Sequence, residues 1–216
     1  PGTGKSAIVH QLADTFNLKV VDVRLAQCEP PDLLGYPSID QNHHKARYVP
    51  MSTFPVEGDA IPDGYDGWLL FLDEFNSADR GVQKASYKLV LDRMIGEFKL
   101  HPNVAIICAG NLDTDNAIVE DMSTALQSRL IHFELKVDVD AWIEWASQND
   151  IDHRITSFIK FKPNSLYSFR PDHTDKTYAS PRTWEFANRL LGLMDPTDPN
   201  MLPMLSGAIS EGMARE

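Results

Sequence analysis

A run of five apolar residues, Trp68 to Leu72, is followed directly by two acidic residues, Asp73 and Glu74. An uninterrupted apolar run of this length is typical of a strand that is buried on both faces, as in a parallel sheet. Two adjacent carboxylates at the end of such a strand are unfavourable unless a cation lies nearby. The run therefore predicts a parallel sheet with a cation at its edge, and the alternative is a solvated acidic turn.

The segment PGTGKS, residues 1–6, is a glycine-rich loop that supplies all but the first two places of the pattern G-x-x-x-x-G-K-[ST]. Apolar residues that recur every four positions predict an amphipathic helix starting at the loop: Ile8, Leu12 and Phe16. The backbone N–H groups of such a loop and the helix dipole attract an anion. In this pattern Lys5 contacts the β- and γ-phosphates and the Ser6 hydroxyl ligates Mg²⁺. The alternative is a glycine-rich turn before an ordinary helix.

A third strand is predicted at residues 104–109, and it is followed by Gly110 and Asn111. Asn111 is a neutral amide at a strand end, where it could orient a water molecule or contact a phosphate without adding charge. Taken alone, an asparagine after a strand is more often a turn former. The order of loop, acidic strand end and polar strand end favours the functional interpretation.

Composition narrows the classes of function. The chain has 216 residues, of which 43% are hydrophobic, enough for a substantial core. Its net charge of -11, from 31 acidic and 20 basic residues, argues against a broad face for nucleic acid. The two cysteines do not make a disulfide framework. No apolar stretch reaches the roughly 18 residues that a membrane-spanning helix needs.

Five short segments together resemble the AAA+ ATPases, and within them the MoxR-like group and its dynein-related neighbours. The segments are PGTGKS, FLDEFN, AGN, LQSRL and SPRTW, and their order and spacing match the family along the whole chain. The sequence departs from the family where the first glycine of the loop and the strand before it should be. Because that strand is central in the family's sheet, we expect the sequence to be incomplete at its N-terminus.

The resemblance implies that the loop binds the phosphates of a nucleotide, through Gly2, Thr3 and Gly4. It also implies that Lys5 and Ser6 are the Walker A lysine and hydroxyl, with Ser6 as a ligand of Mg²⁺. The cofactors implied are therefore ATP and Mg²⁺.

At the strand ends, the resemblance implies that Asp73 and Glu74 are the Walker B metal-binding acid and the catalytic base. Asp73 is then the second protein ligand of the metal, and Glu74 polarises the attacking water. Asn111 corresponds to the sensor-1 residue.

Two arginines complete the implied site. Arg129 stands where an arginine finger points at the nucleotide of a neighbouring subunit, and a strand-like run follows it at residues 130–133. The alternative for Arg129 is a surface salt bridge. Arg182 stands at the sensor-2 position, in a predicted helix that Ser180 caps and Pro181 begins. The alternative for Arg182 is a solvated arginine in the first turn.

The implied fold is α/β, with a doubly wound, mainly parallel sheet over residues 1–135 and a small helical lid over residues 136–216. Nucleotide is expected at the carboxyl ends of the strands. The implied activity is Mg²⁺-dependent ATP hydrolysis that remodels a protein partner, in a homo-oligomeric, hexameric ring in the cytoplasm. In the MoxR-like group the client often carries a metal-ion-dependent adhesion domain.

Two other functions stay open. A nucleic-acid motor or loader of the same family would be stimulated by nucleic acid, which the net charge of -11 disfavours. A non-catalytic ring subunit would bind nucleotide without turnover, and the presence of Lys5, Asp73 and Glu74 argues against it. The segment NLDTD lacks the lysine of the guanine-reading pattern N-K-x-D, so adenine is favoured over guanine.

Overall fold

The computed structural model describes residues 2–40, 45–112, 122, 124–172, 175–195 and 197–216. The chain divides into two compact units. We call Ser6–His132 the sheet unit, and Phe133–Glu216 together with Pro1–Lys5 the helical unit. The two units are defined by the contacts within each of them. The predicted division into a nucleotide-binding domain and a lid concerns function, and it stays a prediction.

The strands are β1 (Leu18–Arg24), β2 (Tyr36–Asp40), β3 (Lys45–Val49), β4 (Gly67–Asp73), β5 (Met94–Ile95), β6 (Phe98–Lys99) and β7 (Val104–Cys108). The helices are α1 (Lys5–Thr15), α2 (Pro30–Leu34), α3 (Arg80–Leu91), α4 (Thr124–Gln127), α5 (Val139–Gln148), α6 (His153–Phe161), α7 (Pro181–Leu193), α8 (Met201–Ile209) and α9 (Glu211–Ala214).

The centre of the sheet unit is a parallel sheet in the order β1-β4-β7. β4 lies in the middle and pairs with both neighbours, so that Leu70 is opposite Val21 on one side and Ile106 on the other. Residues 67–72 of β4 are all buried. The predicted buried strand and parallel sheet are therefore confirmed. Two antiparallel hairpins, β2–β3 and β5–β6, accompany this sheet.

Side chains of β4 alternate between two helical layers, as the two-residue repeat of a strand requires. Leu69 and Phe71 pack with Val9 and Ala13 of α1 in one buried cluster. The small side chain of Ala13, which is completely buried, lets the helix approach the sheet closely. One face of the sheet is thus covered by the helix that follows the glycine-rich loop.

The other face of β4 belongs to the main core of the sheet unit. Leu70 and Leu72 are completely buried there, together with Val82 and Leu89 of α3. With helices on both faces of a parallel sheet, the architecture is the doubly wound α/β fold of P-loop proteins. The predicted fold class is confirmed.

The predicted apolar stripe of α1 is not the face that the helix buries. The helix forms as expected, but Ile8 and Leu12 are partly exposed and Phe16 is 63% exposed. The buried residues are Val9 and Ala13, one position further along the helix. Spacing alone does not reveal this, because a small alanine on the sheet side contributes little to an apolar pattern.

A second correction concerns residues 130–133, where the sequence predicts a strand. The structure describes residues 124–138 and contains α4 there, but no strand follows it. Ile131 and Phe133 are each 84% exposed. A strand in a sheet pairs its backbone N–H and C=O groups with those of a neighbouring strand, and this stretch pairs with no strand in the parts of the chain that the structure covers.

The helical unit is built around tryptophans. Trp142 and Trp184 belong to one buried cluster with Ile155, Ile159 and other apolar residues. Trp184 also donates a hydrogen bond from Nε1 to the carbonyl of Ser165 at 2.9 Å. Trp142 lies on α5, and Ile155 and Ile159 lie on α6. Across the described parts of the chain, no helix combines the length and apolarity needed to traverse a lipid bilayer.

Asp152 caps the first turn of α6. It accepts hydrogen bonds from the Arg154 guanidinium at 2.9 and 2.6 Å and from the Arg154 backbone N–H at 2.8 Å. The guanidinium first, and then the backbone N–H, lower the pKa of Asp152 to about 2. The ordinary pKa of an aspartate is about 3.9. The ionised carboxylate therefore stabilises the fold above that value, and this contribution is lost as the pH falls through about 4 to 2.

We expect Asp152→Ala to lower the free energy of unfolding by about 1 kcal/mol at neutral pH, because it removes a helix cap. Asp152→Asn keeps a capping oxygen and loses only the charge, so it should cost less. Urea unfolding followed by tryptophan fluorescence measures both variants at pH values from about 7 to about 3. A loss for Asp152→Ala that does not shrink at the acid end would contradict the assigned role of the ionised carboxylate.

Candidate functional site

The glycine-rich loop has the backbone that an anion site needs. Gly2 and Gly4 have φ values of 73° and 84°, a left-handed conformation that favours glycine, and Thr3 lies between them. A Cβ at Gly4 would meet no atom within 4 Å, so the space on that side of the loop is open to a ligand. Helix α1 begins directly afterwards at Lys5 and has no acidic residue in its first turn. The N–H groups and the dipole at a helix N-terminus favour a negatively charged group.

Ser6 connects the start of α1 to the acidic end of β4. Its Oγ donates a hydrogen bond to Asp73 Oδ2 at 3.4 Å, across 67 residues of sequence. Both side chains are partly buried. The contact joins Ser6, the last residue of the glycine-rich motif, to a residue of the acidic strand end, so these two side chains lie together within the sheet unit.

Glu74 follows Asp73 in an unusual backbone conformation. Its φ and ψ are 54° and 37°, which places a residue other than glycine in the left-handed region. Such a conformation costs about 1–3 kcal/mol and persists only where the surrounding structure enforces it. The backbone N–H of Glu74 donates to Asp73 Oδ1 at 2.8 Å. Both oxygens of Asp73 therefore accept hydrogen bonds, Oδ2 from the Ser6 hydroxyl and Oδ1 from the N–H of Glu74.

The end of β7 is tied to the same strand end by a residue that the motif analysis did not single out. Asn76 Nδ2 donates to the carbonyl of Asn111 at 2.6 Å, and the Asn111 N–H donates to Asn76 Oδ1 at 3.1 Å. The side chain of Asn76 thus holds the backbone of Asn111 through both of its polar groups. The only sequence signal is a polar amide two positions after Glu74, and it does not reveal a partner 35 residues away.

Arg182 lies where the sequence predicts it, in the first turn of α7. Ser180 caps this helix by accepting from the N–H of Thr183 at 3.3 Å, and Pro181 is its first residue. The N–H of Arg182 donates to the carbonyl of Gly2 at 3.4 Å. Within the helical unit, the beginning of the glycine-rich loop therefore lies against the start of α7. The sensor role of Arg182 stays a prediction.

Arg129 directly follows α4 in the sheet unit, and it is exposed. Its backbone N–H donates to the carbonyl of Leu126 at 3.0 Å, and the Leu126 side chain is completely buried in the main core. The backbone of Arg129 is thus anchored while its side chain remains accessible. This placement is compatible with contact to another molecule, and the role of an arginine finger stays a prediction.

The geometry at Ser6 and Asp73 suits a magnesium ion. Neighbouring oxygen ligands in an octahedral Mg²⁺ site, each about 2.1 Å from the metal, lie about 3.0 Å apart. The two oxygens here are 3.4 Å apart. In the described parts of the chain, no group of three or more His, Cys, Asp and Glu side chains could hold a metal ion by itself. Any further ligands would come from phosphate oxygens and water, the usual partners of Mg²⁺ in nucleotide sites.

A glycine-rich loop that leads into a helix and a buried parallel strand that ends in acids are the features of P-loop nucleotide-binding proteins. The sequence pattern of one family within this class, the AAA domain of the dynein-related subfamily, matches residues 1–130. The chain belongs to this family. The predicted AAA+ membership is therefore confirmed.

Solved structures of similar shape include a Cytophaga hutchinsonii protein described as a candidate ATPase, at 15% identity and a TM-score of 0.48, covering 95% of this chain and 61% of that one. Two variants of Thermotoga maritima RuvB match at 15% and 16% identity, each with a TM-score of 0.49. They cover 100% and 98% of this chain and 57% and 62% of theirs. The chain thus spans about three fifths of these proteins, and similarities this low add nothing to the assignment. No curated protein matches the chain.

Proposed function

We propose that this chain binds ATP together with Mg²⁺ and hydrolyses it. The observation that carries the proposal is the hydrogen bond from Ser6 to Asp73, because these are the two residues that would bind the metal. Ser6 and Asp73 would hold the metal, and Gly2, Thr3 and Gly4 would offer their backbone to the phosphates. A bound Mg²⁺ supplies positive charge that offsets the charge of the triphosphate.

Lys5 has a separate part in the proposal. It is the first residue of α1 and is partly buried. Its ammonium group would neutralise phosphate charge at the point where the helix dipole is also positive. The loop therefore combines a fixed charge with oriented N–H groups, which is the usual way in which P-loops hold the β- and γ-phosphates.

Glu74 is the better of the two acids for the role of general base. Both oxygens of Asp73 already accept hydrogen bonds, from Ser6 and from the N–H of Glu74. Glu74 has a longer side chain, and its left-handed backbone follows directly after the end of the strand. Glu74 would polarise the water that attacks the terminal phosphate, and Asn111 would help to orient that water.

The output of hydrolysis is proposed to be remodelling of a protein partner, as in the MoxR-like group. The acidic net charge of -11 supports a protein client over nucleic acid. The exposed Arg129, on an anchored backbone, supports a ring in which it acts on the neighbouring subunit. A hexameric ring, a client with a metal-ion-dependent adhesion domain, Arg182 as a sensor and a cytoplasmic location belong to the same proposal.

Binding of a fluorescent, non-hydrolysable ATP analogue with and without Mg²⁺ tests the proposal directly. We expect the protein to bind the analogue more tightly with Mg²⁺ than with EDTA. Ser6→Ala should remove most of this metal dependence, because it deletes one of the two protein oxygens at the metal. Lys5→Ala should weaken binding under both conditions, because Lys5 acts on the phosphates and not on the metal.

Ser206→Ala is the matched control for the serine. Its hydroxyl donates to the carbonyl of Leu202 within α8, at 2.7 Å, far from the loop in sequence. Analogue affinity and metal dependence should both be unchanged in this variant. Binding that is absent in the unsubstituted protein, or that is equally strong in Lys5→Ala, would overturn the proposed nucleotide site.

A further inference from the structure

Asn76 joins the two strand ends that carry the proposed chemistry. It lies two residues after Glu74, in the short 3₁₀ turn Phe75–Ser77 that follows β4. Its side chain donates to the carbonyl of Asn111 at 2.6 Å and accepts from the N–H of Asn111 at 3.1 Å. The two bonds run in opposite directions, and an amide side chain carries both the donor and the acceptor that they need.

The same turn is attached to β7 at a second point. The N–H of Phe75 donates to the carbonyl of Ala109 at 2.8 Å, and the N–H of Ser77 donates to the carbonyl of Glu74 at 3.0 Å. Glu74 therefore lies inside a turn that is bonded internally and to the neighbouring strand. Since its left-handed backbone persists only where the surroundings enforce it, the bonds on either side are what hold it.

Gly110 provides independent support for close contact between the Asn76 side chain and the chain segment after β7. A Cβ at Gly110 would lie 2.3 Å from Oδ1 of Asn76 and 2.9 Å from its Cγ. The φ of Gly110 is not in the left-handed region, so its backbone would accept another residue. Glycine is needed at this position because the Asn76 side chain occupies the space.

From these contacts we infer that Asn76 is a positioning residue that sets the placement of Glu74 relative to Asn111. The inference rests on the proposed function, in which Glu74 is the base and Asn111 helps to orient the water. Asn76 itself touches neither substrate nor metal in this assignment. Asn76 acts by holding the turn after β4 at a fixed distance from the backbone of Asn111. The proposed base, Glu74, and the amide of Asn111 therefore keep a constant position relative to each other.

The chain offers a matched control at the opposite end of the same two strands. Asn103 Nδ2 donates to the carbonyl of Asp66 at 2.9 Å, just before β4 begins. The carbonyl of Asn103 also accepts from the N–H of Trp68 at 2.9 Å. Asn103 is thus a second asparagine whose side chain bridges the ends of β4 and β7. It differs from Asn76 in lying away from the acidic end of the sheet.

Phosphate release at saturating ATP, affinity for the non-hydrolysable analogue and Tm should be measured for Asn76→Ala and Asn103→Ala. We expect Asn76→Ala to lower kcat by about 10- to 100-fold, the range that a small misplacement of reacting groups produces. Its analogue affinity should stay close to that of the unsubstituted protein, because the loop is intact. Asn103→Ala should lower Tm comparably and leave kcat nearly unchanged.

Gly110→Ala supplies a readout that does not depend on turnover. In the unsubstituted protein the added methyl group meets Asn76, so Tm should fall. In the Asn76→Ala background the space is free, and the same change should have a smaller effect on Tm. An equal loss in both backgrounds would contradict the packing on which the inference depends.

The outcomes separate this inference from the function on which it rests. If the unsubstituted protein binds no nucleotide and releases no phosphate, the proposed function fails and the inference fails with it. If turnover is present but Asn76→Ala and Asn103→Ala affect kcat alike, the inference alone is overturned. A selective loss of kcat in Asn76→Ala, together with relief of the Gly110→Ala effect, supports it.

Discussion

Glu74→Gln is expected to lower the rate of ATP hydrolysis by about 10²- to 10⁴-fold, the contribution typical of a general base. The replacement keeps the length of the side chain and its ability to hydrogen-bond, but the amide cannot take up a proton. Nucleotide affinity should be retained, because Ser6 and Asp73 are unchanged. Phosphate release at saturating ATP and binding of the non-hydrolysable analogue measure the two quantities separately.

Glu57→Gln is a suitable control for this experiment. Glu57 is exposed in the sheet unit and lies in a loop outside both motifs. The Glu57→Gln variant should therefore release phosphate at the same rate as the unsubstituted protein. Unchanged phosphate release in Glu74→Gln would remove Glu74 from the role of base. In that case the left-handed backbone at this position would need another explanation.

Arg129→Ala is expected to lower turnover by about 10³- to 10⁵-fold, the size of effect that arginine fingers have in phosphoryl transfer. The guanidinium would neutralise charge on the transferring phosphoryl group, which is greatest in the transition state. Affinity for the ATP analogue should therefore change little. Arg129→Lys should recover only part of the activity, since an ammonium group lacks the planar, forked geometry of guanidinium.

Mixing variants tests whether Arg129 acts on a neighbouring subunit. Lys5→Ala subunits have a defective loop and an intact Arg129, whereas Arg129→Ala subunits have the reverse. If the arginine acts in trans, a mixture should regain turnover that neither variant has alone. Arg189→Ala, at an exposed position of α7, is the control and should behave like the unsubstituted protein. Equal loss of analogue binding and turnover in Arg129→Ala would count against the trans role.

The sheet was predictable because burial on both faces leaves a clear mark in a sequence. Leu69, Leu70, Phe71 and Leu72 are apolar without interruption, since each contacts one of two helical layers. The start of α7 was also predictable from the sequence, because Ser180 and Pro181 satisfy the local requirements of a helix N-terminus. Both predictions depend on residues that are close together in the chain.

The buried face of α1 and the absence of a strand after Arg129 could not be predicted from residues that are close together in the chain. Apolar spacing marks Ile8 and Leu12, but the sheet contacts Val9 and Ala13. The alternating apolar residues near Phe133 resemble a strand, yet a strand exists only if a neighbouring strand receives its hydrogen bonds. In both cases the outcome depends on a partner elsewhere in the chain.

The sequence by itself determined the kinds of chemistry available: a glycine-rich anion loop, a hydroxyl, and two acids at the end of a buried strand. Only the tertiary structure decided which of these groups meet. The bond from Ser6 to Asp73 spans 67 residues, and the two bonds between Asn76 and Asn111 span 35. The physical reason is that motifs report local backbone requirements, whereas a site depends on hydrogen bonds between segments that the packing of the sheet brings together.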